Sequence, residues 1–148
     1  MNAAQRAMEL LGTWPDLLST VPTCGAGQGL RTTDAEIVHF HGEHDADLHL
    51  TGPVIRRLYP GLSQSTAIRL RPGSSWVTVH LDCDDDIDLL TSLISVALQA
   101  HASAWPRPIA MPCSQCHTMV TPEHRATPAT AGTGSRFRRR NRRSRDGE

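Results

Sequence analysis

Residues 38–50, VHFHGEHDADLHL, alternate apolar residues with histidines and aspartates in two successive runs. Alternation with a period of two is typical of β-strands that turn one face toward a core. An antiparallel pair with Phe40 opposite Ala46 and Val38 opposite Leu48 joins the apolar sides of both runs, because directly opposed residues share a face. This register requires a loop of three residues, whereas a loop of two or four residues would mix the faces. The stretch therefore predicts one β-hairpin of fixed register.

The same register gathers the polar side chains of this hairpin on the opposite face, which we expect to be open to solvent. On that face, His41 would oppose Asp45, and His39 would oppose Asp47. Even-numbered side chains would enter the core and odd-numbered ones would leave it. The residues predicted for this polar face are Ile37, His39, His41, Asp45, Asp47 and His49.

Three other segments have the apolar spacing of amphipathic helices. The first, AAQRAMELLG, is expected to end at Gly12. The second begins after Thr51 as a cap, has Pro53 in its first turn and is expected to end at Pro60. The third begins at the acidic run DDD, where a helix N-terminus favours negative charge, and continues to about Ala104. Their inward-facing residues are Ala4, Ala7, Met8 and Leu11; Val54, Ile55 and Leu58; and Ile87, Leu90, Ile94, Ala97, Leu98 and His101.

The segments STAIRLR and WVTVHLD predict a second hairpin around PGSS, in which Ile68 and Leu70 pair with Val79 and Val77. Its opposite face carries Arg69, Arg71, Trp76, Thr78, His80 and Asp82. Residues 20–34, TVPTCGAGQGLRTTD, predict a long loop, and folding over the polar face is one option for it.

The order helix, hairpin, helix, hairpin, helix predicts an α+β fold. We expect a two-layer sandwich in which an antiparallel sheet of two hairpins, four strands in all, has helices on one face. The uncovered face would then carry histidines, acids, arginines and Trp76 together.

Charge and composition divide the chain into a domain at 1–104 and a tail at 105–148. Residues 1–110 carry seven Arg and twelve acidic residues, whereas residues 111–148 carry eight Arg and three acidic residues. The tail is rich in Pro, Thr, Ala, Gly and Ser and ends in an Arg-rich run, so it is predicted to be disordered. The run Arg136–Arg145 predicts weak, nonspecific attraction to nucleic acid. No apolar run is long enough to span a membrane and no export signal is evident, so a cytoplasmic location is expected.

Several residue groups have the types that bind metals or ligands. His39 and Asp47, with His41 or His49, suit Fe(II) or Zn²⁺, although a solvated sheet face would have the same composition. The motif CSQCH at 113–117 has the spacing of covalent haem attachment, but this normally occurs outside the cytoplasm. A zinc knuckle and a chance pair of cysteines are the alternatives for this segment, and the cofactor stays open. The knuckle would use Cys113, Cys116, His117 and His124.

The segments EIVHFH, DADLHL and GSSWVTVHLDCDDDIDLL together resemble the luciferase-like domain family over about residues 30–102. This family occurs in actinobacterial proteins and in the fungal luciferases that oxidise a hydroxylated hispidin with oxygen. One departure is LYPGLSQS, which replaces an aromatic and basic stretch of the light-emitting members. The positions that carry the resemblance are Glu36, His39, His41, Asp47, His49, Gly73, Trp76 and Asp88.

The resemblance implies a small planar organic ligand bound on the polar sheet face, with oxygenase-type chemistry as the class to test. Trp76 would stack on the ligand, while Arg69 or Arg71 would bind a carboxylate or phenolate. His39 or His49 would accept a proton near neutral pH. The other expected ligand-binding residues are His41, Asp47 and His80. The alternative is a noncatalytic interaction module that binds a protein or nucleic acid through the sheet face or the basic tail.

Overall fold

A computed structural model describes residues 1–104 and Cys113. The elements in chain order are α1 (Ala3–Leu11), β1 (Leu18–Thr20), β2 (Gln28–Arg31), β3 (Glu36–Phe40), β4 (Asp45–His49), α2 (Gly52–Leu62), β5 (Ile68–Leu70), β6 (Trp76–His80) and α3 (Asp84–Ser103). The predicted α+β class is confirmed. The predictions for Cys116, His117, His124, the tail and its Arg-rich run lie outside the described residues.

The sheet is antiparallel and has six strands in the order β1-β2-β3-β4-β6-β5. The predicted count of four strands was wrong because the segment predicted as a loop forms β2 and part of β1. Strand β2 pairs with β3, with Gly29 opposite His39 and Leu30 opposite Val38. The added hairpin supplies backbone partners to the edge of β3, which would otherwise be left with unpaired donors and acceptors.

Both predicted hairpins have the expected register. Val38 pairs with Leu48 and Phe40 with Ala46 in the first. In the second, Ile68 pairs with Val79 and Leu70 with Val77. Strand β4 pairs with β6 and joins the two hairpins into one sheet. The apolar alternation therefore determined the register of both hairpins.

The core lies between one face of this sheet and the helices. Helix α3 packs across β3, β4 and β6, and α1 packs against α3. Phe40 and Leu48 are 3% and 0% exposed, as the alternation predicts. Ile37 departs from the parity rule: it lies where the β2–β3 register shifts, and it is fully buried in the main core. A bulge reorients side chains locally, so the predicted outward position of Ile37 was wrong.

The predicted helix ends were correct for α1 and α3 and wrong for α2. Gly12 caps α1, and α3 continues to Ser103. Helix α2 continues through Pro60 to Leu62. Thr51 occupies its N-cap position without a side-chain hydrogen bond. Among the described residues, no helix has the length and apolar character needed to cross a membrane.

Gly27 fixes how closely the loop before β2 approaches β3. Its φ is +77°, and a Cβ at this position would lie 2.1 Å from the backbone oxygen of Phe40. We expect Gly27→Ala to lower the free energy of unfolding by about 2 kcal/mol, because left-handed strain adds to a backbone collision. Urea denaturation measures this change.

Gly25→Ala is the matched control for this substitution. Gly25 has a φ of +74° but would place its Cβ in open space, so this variant carries the strain without the collision. We expect it to cost about 1 kcal/mol. Equal losses in the two variants would contradict a close approach of Gly27 to β3.

Candidate functional site

Cross-strand pairing assembles the predicted polar residues into rows across the sheet. His39 lies opposite Asp47, and Asp47 lies opposite Thr78 on β6. His49 lies opposite Trp76 in the next row of β4 and β6. Because opposed residues share a face, one side of the sheet holds the histidines, the aspartate and the tryptophan.

This face is covered, so the predicted open, solvated face was wrong. The exposed fractions are 1% for His39, 0% for Asp47 and 3% for both His49 and Trp76. Cys113 and Cys24, which lies in the loop between β1 and β2, pack against Trp76. The loop predicted for residues 20–34 thus covers the polar face only through its middle part, since both ends are strands.

Glu36 links His39 to the loop that carries Cys24. Its Oε2 accepts a hydrogen bond from His39 Nε2 at 3.2 Å, and its Oε1 accepts one from the backbone amide of Thr23 at 2.8 Å. Because a carboxylate only accepts, Nε2 of His39 carries the hydrogen. His39 Nδ1 is buried and has no hydrogen-bond partner among the described residues. Burial lowers the pKa of His39, and this outweighs the opposing attraction of Glu36.

His41 lies between Cys113 and the buried carboxylate of Asp47. Its Nε2 lies 3.2 Å from Cys113 Sγ and 3.7 Å from Asp47 Oδ2. Thr78 donates its hydroxyl hydrogen to Asp47 Oδ1 at 2.5 Å. The Nδ1 of His41 is also buried without a partner in the described part of the chain. Two adjacent imidazoles thus each have an unsatisfied buried nitrogen, which is costly unless another group binds there.

Trp76 is buried against the rings of two histidines. The ring of His49 stacks on it, with centroids 4.8 Å apart and planes inclined by 16°, and the ring of His39 contacts it at 4.8 Å. The predicted stacking of Trp76 on a planar ligand stays a prediction. Burial lowers the pKa of His49 to about 4, with a further contribution from the neighbouring ring of His101.

Arg69 and His80 lie at the outer edge of the face and are engaged by acidic partners. Arg69 Nη2 and His80 Nδ1 lie 2.9 and 2.8 Å from Asp45 Oδ1. The bond to Asp45 raises the pKa of His80. The structure thus separates these residues from the buried group of His39, His41 and Asp47. Arg71, the other predicted anion-binding residue, follows the end of β5 in the turn toward β6.

A cavity of about 790 Å³ opens beside the C-terminal end of α3. His101 lies in its wall, half-buried, and donates from Nε2 to the backbone oxygen of His49 at 3.1 Å. The ring of His101 also contacts the ring of His49, with centroids 4.7 Å apart. Burial lowers the pKa of His101. The wall of the cavity also includes Asp16, Thr32, Asp34, Leu98 and Gln99.

For His101, Cys24 and Cys113, the sequence predicted roles that differ from their positions in the structure. His101 was interpreted as a satisfied edge residue; it is hydrogen-bonded as expected, but it also lines the cavity. Cys24 was interpreted as a loop thiol and Cys113 as part of a knuckle or a chance pair. Cys24 lies 15 residues before His39, and Cys113 lies 72 residues after His41, so no short sequence motif indicates that these residues come together.

The match to a known family covers 64 of the first 104 residues, from residue 34 to residue 97. Residues 34–97 match the model of the Luciferase domain family. The chain matches none of the curated proteins and none of the solved structures with which it was compared. The matched segment begins just before β3, contains both predicted hairpins and ends within α3. Residues 34–97 of this chain are thus similar to a Luciferase domain.

Proposed function

We propose that this domain binds a small, neutral, planar phenol or enol in the cavity beside His101, and that His101 accepts the hydroxyl proton in an oxygenase-type reaction. The observation that carries the proposal is the position of His101 in the cavity wall. Its Nε2 donates a hydrogen bond to the backbone oxygen of His49. The Luciferase domain match supports the reaction class, since the fungal luciferases that this chain resembles oxidise a hydroxylated hispidin with oxygen.

His101 has the protonation state that a general base requires. Its lowered pKa keeps the imidazole neutral at neutral pH. Because Nε2 donates its hydrogen to the carbonyl oxygen of His49, Nδ1 holds the lone pair that accepts a proton. Proton transfer to Nδ1 would leave an electron-rich oxyanion on the ligand, which is the form that molecular oxygen oxidises.

The cavity favours a neutral ligand over an anion. A volume of about 790 Å³ lies within the roughly 300–1,000 Å³ typical of small-molecule sites. Its wall combines apolar Leu98 with polar Thr32 and Gln99, but Asp16 and Asp34 contribute carboxyl groups. A ligand that entered as an anion would meet like charge. This differs from the carboxylate or phenolate expected from Arg69 and Arg71, because Arg69 is paired with Asp45 at another edge of the sheet.

The expected proton acceptors His39 and His49 do not line the cavity as the described residues form it. His49 contacts His101 through its backbone oxygen and its ring. We therefore assign His49 a positioning role behind His101. Proton acceptance by His39 or His49 stays a prediction.

The test compares the full chain with two glutamine variants, using hydroxylated hispidin as the probe. Binding is measured by the change in probe fluorescence, and turnover by oxygen consumption. We expect His101→Gln to retain binding, because the amide can still donate to His49, and to lower turnover about 100-fold or more. His44→Gln is the matched control, since His44 is solvent-exposed and lies at the far end of β4, beside Asp82.

Two results would overturn the proposal. One is the absence of probe binding by the wild-type chain. The other is wild-type oxygen consumption in His101→Gln, which would remove the general-base role even if the probe binds.

A further inference from the structure

We propose that Cys24, His39, His41 and Cys113 bind one zinc ion. This ion would hold the β1–β2 loop and Cys113 against the sheet. Each residue offers one ligand atom, and the four atoms all lie within 4.8 Å of one another. Donors on a tetrahedral zinc are separated by about 3.3–3.8 Å, as its bond lengths require. Side-chain shifts of about 1 Å would therefore bring the four donors into the zinc geometry.

The buried nitrogens of the two histidines are the second observation. His39 Nδ1 and His41 Nδ1 are both buried without a hydrogen-bond partner among the described residues. An unpaired buried acceptor is costly, and few such atoms persist in folded proteins. A cation bound to His39 Nδ1, between the two imidazoles and the two thiols, would use a lone pair that has no hydrogen-bond partner among the described residues.

Glu36 supplies the support that metal-binding histidines usually have. It accepts the Nε2 hydrogen of His39 at 3.2 Å, and this leaves Nδ1 as the ligating nitrogen. Its second oxygen accepts the amide hydrogen of Thr23, the residue before Cys24. One carboxylate thus fixes the tautomer of one ligand and the position of the loop that carries another, which is the arrangement of a carboxylate–histidine–zinc triad.

The donor set selects zinc among the common divalent cations. Two sulfur and two nitrogen donors suit a tetrahedral ion of intermediate softness, whereas Mg²⁺ and Ca²⁺ prefer oxygen ligands. Two thiolates would neutralise the ion, and the nearby carboxylates of Glu36 and Asp47 would add attraction.

Four protein ligands leave no open position, so the role of this site is structural. Cys113 and His39 are each 1% exposed. Closed, four-coordinate sites stabilise folds, whereas catalytic zinc retains a position for water or substrate. The ion would hold the β1–β2 loop and Cys113 against β3. The site differs from the predicted knuckle, which shares only Cys113 with it, and from the predicted sheet-face site, which lacked thiols.

The test is cobalt and zinc binding by the reduced full-length chain after treatment with a chelator. Tetrahedral Co²⁺ bound to thiolates shows a charge-transfer absorption and intense visible bands, and Zn²⁺ displaces it. We expect one equivalent of Co²⁺ to saturate these bands. Cys24→Ser and Cys113→Ser should each weaken binding more than 100-fold, and Glu36→Gln should weaken it about 10–100-fold.

Two control variants distinguish this site from other metal-binding arrangements. Cys83→Ser removes an exposed thiol outside the site, and Cys116→Ser removes a ligand of the predicted knuckle. Both should bind Co²⁺ as the wild type does. Circular dichroism of each variant without metal checks that loss of binding does not reflect loss of fold.

Three outcomes would overturn the proposal. These are the absence of thiolate-to-cobalt bands in the wild type, loss of binding in Cys116→Ser with retention in Cys24→Ser, and a Cys24–Cys113 disulfide in the protein as purified without reductant. Each result is independent of ligand binding beside His101, because that cavity is lined by other residues.

Discussion

Replacement of Leu48 by alanine is expected to lower the free energy of unfolding by about 4 kcal/mol. Leu48 lies on the central strand β4 between Val38 and Val77, and its side chain is 0% exposed. Truncation of a fully buried leucine typically costs about 2–5 kcal/mol, because it forfeits transfer free energy and leaves a cavity. A site bounded on both sides by paired strands cannot collapse easily, so we expect the upper part of this range.

The control for this prediction is Leu10→Ala, which makes the same truncation on the outer side of α1. Leu10 is 47% exposed, and alanine suits a helix at least as well as leucine. We expect a change within about 0.5 kcal/mol. Urea denaturation of both variants provides the comparison. A difference below 1 kcal/mol would mean that the even-numbered face of β4 does not form the core.

Acidification from pH 6.5 to pH 4 is expected to lower the free energy of unfolding by about 3 kcal/mol through His49 alone. Burial lowers the pKa of folded His49 to about 4, whereas the unfolded chain titrates near 6.5. Between these values the unfolded chain binds the extra proton, so the stabilisation is complete above pH 6.5 and is lost as the pH falls toward 4. His101 adds to the same trend, because burial also lowers its pKa.

His80 should oppose this trend only weakly. Its pKa is raised by Asp45, so its contribution is present below pH 6.5 and is lost as the pH rises through its folded pKa. Its side chain is 39% exposed, and solvent screens such pairs.

The measurement for this prediction is a series of urea denaturations between pH 7 and pH 4 with a chelator present. The chelator ensures that no metal release contributes to the pH dependence. His49→Gln should flatten the pH dependence, whereas the exposed-site variant His44→Gln should retain it. A wild-type slope in His49→Gln would assign the acid sensitivity to another group.

Side-chain alternation predicted the hairpins well because the register of a two-layer sheet depends on a local property. Shifting either strand by one residue would bury Asp47 in place of Leu48 on the helix side. The same logic failed for residues 20–34. Their glycines and polar residues have turn chemistry, yet two short stretches pair with an available strand edge. Whether a short stretch pairs with a strand edge depends on which strand lies beside it in the fold. Strand propensity alone is too weak to predict such pairing.

The polar residues were predicted to share a face, and the pairing of His39 with Asp47 and of His49 with Trp76 places them together. Their environment could not be predicted, because a polar face looks the same in sequence whether water or another segment covers it. Cys24 covers this face from the β1–β2 loop, and Cys113 covers it from a position 72 residues after His41. Likewise, the cavity beside His101 forms where the end of α3 meets loops from other parts of the fold.

By itself, the sequence determined the fold class, the two hairpin registers, the apolar core and the resemblance that the match at 34–97 supports. These properties depend on side-chain period and on residues close together in the chain. Only the tertiary structure decided that the histidine face is buried, that two cysteines lie against it and that His101 lines a cavity. Burial and ligand geometry arise from contacts between distant segments, and the spacing of residues along the chain does not encode those contacts.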